Sequence, residues 1–104
     1  MRIVWSEKAR DALRSTALYI RDTFGERSKE SFLREIRQTC ILLEKTPDMG
    51  QREILLMECP EQYRSLVVGR LNKIVYYING EQIEIVALWD TRREPKSQAE
   101  ETKE

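Results

Sequence analysis

The sequence predicts an α+β domain of two layers, with an N-terminal helical hairpin packed on a mainly antiparallel sheet in the order β-α-α-β-β-β. Three observations predict it. Two long segments in the first half carry apolar residues at spacings of three and four. Three later segments, "YRSLVV", "LNKIVYYI" and "QIEIVALW", are rich in β-branched and aromatic residues. Asn79-Gly80 joins the last two with the dipeptide most favoured in a tight hairpin.

The elements follow in order. "RIVW" (Arg2–Trp5) reads as a short strand. Ser6 is a good N-cap and Glu7 suits the positive end of a helix. Ala9, Leu13, Thr16, Ala17, Ile20 and Phe24 then form one apolar stripe, which Gly25 ends. A second helix is expected from Ser28 to Lys45, with Phe32, Ile36, Cys40 and Leu43 inward and Leu33, Ile41 and Leu42 widening the stripe. Pro47 stops it and "PDMG" makes a turn. "REILLMEC" (Arg52–Cys59) fits either a strand or an apolar loop against the core.

A two-residue turn at Asn79-Gly80 places Ile78 opposite Glu81, Tyr76 opposite Ile83 and Ile74 opposite Ile85. These residues, except the pair at the turn, share an apolar face that should pack on the helices. The other face carries Lys73, Val75, Tyr77, Gln82, Glu84, Val86 and Leu88 and is half polar, as one open side of an antiparallel sheet should be. A second two-residue turn at Gly69-Arg70 adds Arg64 to that open face and points Tyr63 inward, while a bulge at Gly69 would reverse both. Simple alternation carries Trp89 with Ile83, Ile85 and Ala87.

Composition limits the chemistry. A chain of 104 residues holds one core. Eighteen basic and eighteen acidic side chains cancel, so there is no charge footprint of nucleic-acid binding. Residues 1–97 are expected to form the domain, and the acidic end, 98–104, a disordered tail. Cys40 and Cys59 make no disulfide framework and no C-x-x-C spacing, which suits reduced structural cysteines. No secretory signal and no membrane-length apolar run is evident, so a cytoplasmic protein away from membranes is expected. The absence of histidine removes the commonest general base and zinc ligand. There is no phosphate-binding glycine loop either, and neither cofactor nor metal is expected. Arg, Lys, Tyr, Asp and Glu must carry whatever chemistry there is.

On spacing alone, Arg64, Lys73, Tyr77 and Glu84 read first as a solvated sheet face with charges paired across strands, Lys73 with Glu84. The same cations, with Arg92 and Arg93 of "WDTRREP", could bind an anion such as RNA phosphate or a partner's carboxylate. Exposed apolar neighbours would point to a covering partner.

"SEKARDAL…YI", "LLEKTPDMG" and "YRSLVVGRLNKIVYYINGEQIEIVALWDTRREP" together resemble the RelE/ParE superfamily of toxins from type II toxin-antitoxin systems, from about Ile3 to Pro95. The ParE and plasmid-stabilisation branch is closer than RelE. The resemblance implies a growth-inhibiting toxin neutralised by a cognate antitoxin, as a hetero-oligomer or with homodimers. ParE-like members poison DNA gyrase; RelE-like members cut mRNA on the ribosome; an inactive relative would only bind its antitoxin. If the chain were RelE-like, Arg64, Lys73 and Arg92 would be its catalytic cations, stabilising the charge that develops when a 2′-OH attacks phosphate. Otherwise Arg64, Lys73, Tyr77, Arg92 and Arg93 are expected to contact target or antitoxin. Leu66 stands where the nuclease branch has a lysine, and no Tyr or His follows Arg93. Both departures leave the reaction short of an acid and a base and favour the ParE-like reading.

Overall fold

The computed structural model describes residues 1–103. Strand Arg2–Trp5 (β1) leads into helices Glu7–Phe24 (α1) and Glu26–Lys45 (α2). A short strand Gln51–Arg52 (β2) and a 3-10 turn at Ile54–Leu56 come next. Strands Arg64–Val68 (β3), Asn72–Asn79 (β4) and Gln82–Asp90 (β5) follow, and helix Pro95–Lys103 (α3) ends the described chain. The strands form one sheet in the order β1-β5-β4-β3-β2. It is antiparallel except for β1, which runs parallel to β5 after the helical crossover. The α+β two-layer architecture is the one that the periodicities predict.

Ser6 caps α1 by accepting a hydrogen bond from the Ala9 amide at 3.0 Å. Gly25 alone links the two helices, at φ 102°, a conformation that a side chain would strain. Phe32, Ile36 and Leu43 of α2 and Ala9 and Ala17 of α1 pack on Val68, Ile74, Tyr76, Ile83, Ile85 and Leu88 of the sheet. That is the main core, and the inward residues of the helices and of the β4–β5 hairpin are those that the sequence marks. Phe24, Ile41 and Leu42, expected in the apolar stripes, are instead exposed.

Three local features alter the expected register. The β4–β5 loop is Gly80-Glu81, closed by the pair Asn79↔Gln82, so Ile78 faces Ile83 and Tyr76 faces Ile85. Only Gly80 has positive φ there, 62°. A turn needing one left-handed residue at its first central position suits glycine better than the expected type I′, which would also force Asn79 left-handed. Each strand slides by one residue, so the inward and outward sets near the turn survive.

The second feature is a bulge that leaves Val86 unpaired between Ile85 and Ala87. Beyond it the faces of β5 exchange. Leu88 joins the main core, and Ala87 and Trp89 turn away from the helices, the reverse of simple alternation.

The third is the β3–β4 loop, which has three residues, Gly69–Leu71, between the paired Val68 and Asn72. Gly69 has φ 64°. Arg64 therefore faces Tyr76 and shares the helix side, whereas the two-residue turn had put it on the open side.

The supposedly open face is half covered. Leu56 of the 3-10 turn, Val75, Trp89 and Ala99 of α3 make a second buried cluster, with Leu55, Cys59, Tyr63, Val86 and Ala87 around it. "REILLMEC" is thus a minimal edge strand and then a capping turn. The acidic end, expected to be disordered from residue 98, is helical through Lys103. Its only buried apolar side chain is Ala99, so polar contacts hold it. The Gln98 side-chain amide donates to the Asp90 carbonyl at 2.9 Å and accepts from the Asp90 amide at 2.8 Å, as a neighbouring strand would. The Trp89 indole donates to the Thr102 hydroxyl at 2.9 Å.

Candidate functional site

Each basic residue that the sequence singles out already has an acceptor. The Arg64 guanidinium donates to the Gly50 carbonyl at 2.7 Å and the Asp48 carbonyl at 3.3 Å, tying β3 to the "PDMG" turn. Tyr76 secures the same turn from below: its buried hydroxyl donates to the Pro47 carbonyl at 2.8 Å and accepts from the Gly50 amide at 2.9 Å. Arg64→Ala should therefore cost about 1–2 kcal/mol of folding stability, the net worth of such bonds. Urea denaturation measures it, and an unchanged midpoint would refute the structural role.

Lys73 lies on the opposite face. Its ammonium is 2.7 Å from the buried Glu53 carboxylate and 5.4 Å from the centre of the Trp89 ring. Glu53, not the expected Glu84, is its partner. Ser65 also donates to Glu53, at 3.0 Å, and so does the Leu55 amide, at 3.1 Å. Burial raises the Glu53 carboxyl, but the hydrogen bonds from Lys73, Leu55 and Ser65 outweigh it and hold the group below the usual carboxylate range. Lys73 is thereby committed to fastening the 3-10 turn to the sheet.

Arg92 and Arg93 diverge. Arg92 forks onto Asp90 through two side-chain bonds of 3.1 Å, and its amide adds a third of 2.9 Å. The Arg92 hydrogen bond lowers the Asp90 carboxyl despite partial burial. The guanidinium also lies 5.9 Å from the Tyr19 ring of α1. Arg93 turns the other way, to Glu101 of α3 at 2.8 Å. Arg64 and Arg92 thus lie on the helix side and Lys73 and Arg93 on the other, the first pair apart from one another along the sheet. Tyr77 remains on the outer face, as expected. Its hydroxyl donates to Glu84 at 3.4 Å. Tyr63, expected to point inward, packs edge-on against the Tyr77 ring at 5.4 Å and 80°.

Two participants escaped sequence reasoning. Glu53 is one of two acids in "REILLMEC", and it directly precedes the apolar run Ile54–Met57, a signal for a buried pair. Tyr19 lies outside the apolar stripe of α1 in the sequence. It lines a groove of about 380 Å³ with Phe24, Leu71, Asn72, Asp90 and Arg92. Tyr19 is 48% and Phe24 60% exposed, leaving aromatic surface beside a fixed ion pair.

The arrangement is suited to contact more than to proton transfer. RNA cleavage would need free cations converging on one phosphate, with an acid and a base beside them. Here the cations are separated and paired.

The model of the ParE toxin of type II toxin-antitoxin system, parDE, matches residues 3–95. The chain belongs to the ParE toxin family. Among solved structures, a chain of the chromosomal ParDE toxin-antitoxin system from P. aeruginosa shares its fold, with a TM-score of 0.70 and 19% identity over 86% of this chain and 95% of that one. No curated protein matches the sequence. The family match ends where α3 begins, so the helix that covers Trp89 lies outside the matched residues of this ParE toxin. Among the described residues, no helix is long and apolar enough to cross a membrane.

Proposed function

We propose that this ParE-family toxin acts by binding a large cellular target, DNA gyrase, and that a cognate antitoxin neutralises it. The observation that carries the reading is the dispersal of the basic side chains. Arg64 and Lys73 lie on opposite faces of the sheet, and Lys73, Arg92 and Arg93 are each neutralised by a carboxylate within 3.1 Å. A ribosome-dependent nuclease would require those cations together and unpaired.

Surface contact needs no such cluster. The groove beside Tyr19, Phe24 and Arg92 offers apolar area with one fixed ion pair, the composition of a protein-binding patch. The outer edge of β3 is a second candidate for the antitoxin. β2 pairs only with Arg64 and Ser65, so the backbone of Leu66–Val68 is open to strand addition among the described residues.

Induced expression is expected to arrest growth, and co-expression of the adjacent small gene to restore it. Purified toxin should inhibit gyrase supercoiling and leave transcripts intact in a translating extract. Transcript cleavage without loss of supercoiling would reject gyrase in favour of the nuclease, and harmless expression of folded protein would reject toxicity itself.

A further inference from the structure

We propose that the cleft beside the β4–β5 hairpin receives a basic side chain, arginine or lysine, from a protein partner. The cleft has a volume of about 420 Å³ and is lined by Pro60, Glu61, Gln62, Arg64, Tyr77 and Ile78. Its chemistry is the reverse of a phosphate site.

The Tyr77 ring forms one wall, and Tyr63 stands edge-on against it. An aromatic face attracts a cation through its quadrupole. Both rings keep their protons. Burial first, then Glu61, pushes the Tyr63 phenol up to about 12, and burial with Glu84 and Glu61 raises Tyr77. Glu61 therefore acts on both rings, and Glu84 on Tyr77.

Neither carboxylate is neutralised. Among the described residues, Glu61 and Glu84 have no ion-pair partner within 4.0 Å. Several other acids around the sheet are paired: Glu53 with Lys73, Asp90 with Arg92, Glu58 with Lys103 and Glu101 with Arg93. The single cation of the cleft, Arg64, spends its guanidinium on the carbonyls of Asp48 and Gly50. Two unpaired negative charges beside these edge-to-face phenols repel phosphate and attract an ammonium or guanidinium. Ile78, 38% exposed, and Pro60 offer apolar surface to the methylene stem of such a side chain.

The occupant is thus a basic segment of a protein, whatever the toxin poisons. The test is an NMR titration that follows the ring signals of Tyr63 and Tyr77. The probes are a capped Gly-Arg-Arg-Gly peptide, its Gly-Glu-Glu-Gly counterpart and a short RNA oligomer. The arginine peptide should give saturable shifts at both rings, weakened about tenfold (about 1.4 kcal/mol) by the double substitution Glu61→Gln/Glu84→Gln. Tyr77→Phe should retain binding, because it keeps the ring, and Tyr77→Leu should lose it. Equal shifts with the glutamate peptide, shifts with RNA in place of the arginine peptide, or indifference to the double substitution would each overturn the assignment. Growth arrest and gyrase inhibition are separate readouts, so failure here leaves the toxin reading standing.

Discussion

Trp89→Ala is expected to destabilise the domain by about 3–5 kcal/mol, the range for truncating a large buried aromatic. Trp89 is 4% exposed and is the largest member of the second cluster, with Leu56, Val75 and Ala99. Its loss removes packing between α3, the 3-10 turn and the sheet together. It also removes the indole donor to Thr102 and the ring beneath Lys73. Small domains have about 5–15 kcal/mol of stability in total, so this loss is a large share. Because α3 buries only Ala99 among its apolar side chains, it should detach before the rest unfolds. Urea denaturation gives the energy, and limited proteolysis between residues 95 and 103 reports detachment. Thr102→Val, which deletes the hydroxyl's bonds with Trp89 and the Gln98 carbonyl but keeps the side chain's shape, should cost about 1–2 kcal/mol. A Trp89→Ala loss no larger than that would show that the second cluster contributes little.

Glu53→Ala should cost about 2–3 kcal/mol. Breaking a fully buried ion pair costs about 3–5 kcal/mol. Lys73 is 27% exposed and can turn to solvent, which reduces the penalty. The Ser65 hydroxyl and the Leu55 amide lose their acceptor as well. The contribution depends on pH in a defined direction. The folded Glu53 carboxyl lies below its usual value, so the unfolded chain takes up the proton first as pH falls. The stabilisation is complete above the unfolded glutamate value, about 4.3, and disappears as pH drops through the folded value. Asp90, lowered by its hydrogen bond from Arg92, adds a term of the same sign. Wild type and Glu53→Gln should therefore differ in urea midpoint at pH 7 and converge toward pH 3. A gap that persists at pH 3 would assign the effect to packing.

These two sites were legible in the sequence to different degrees. Trp89 was visible as an apolar residue, but its face was misassigned because one unpaired residue, Val86, reverses everything after it. Arg64 suffered the same inversion at the three-residue Gly69–Leu71 loop. Lys73 was placed correctly and paired wrongly, since its partner Glu53 is distant in sequence and the shifted register sets Glu84 opposite Tyr77 and Trp89 opposite Lys73. Tyr77 kept its outer face as well, and both it and Lys73 are half-buried there.

The two layers follow from local pattern. Helical spacing selects Phe32, Ile36 and Leu43, and alternation near the hairpin selects Ile74, Tyr76, Ile83 and Ile85, because both patterns are local and repeat over several turns or pairs. The grouping of the functional side chains depends instead on long-range packing. A bulge and a loop length, each a change of one residue, moved Trp89 and Arg64 across the sheet. An acidic segment with almost no apolar residues became α3 because Gln98 and Thr102 find polar partners on the end of β5. Such contacts are satisfied by groups that approach only when the chain has folded, so local propensity carries no trace of them.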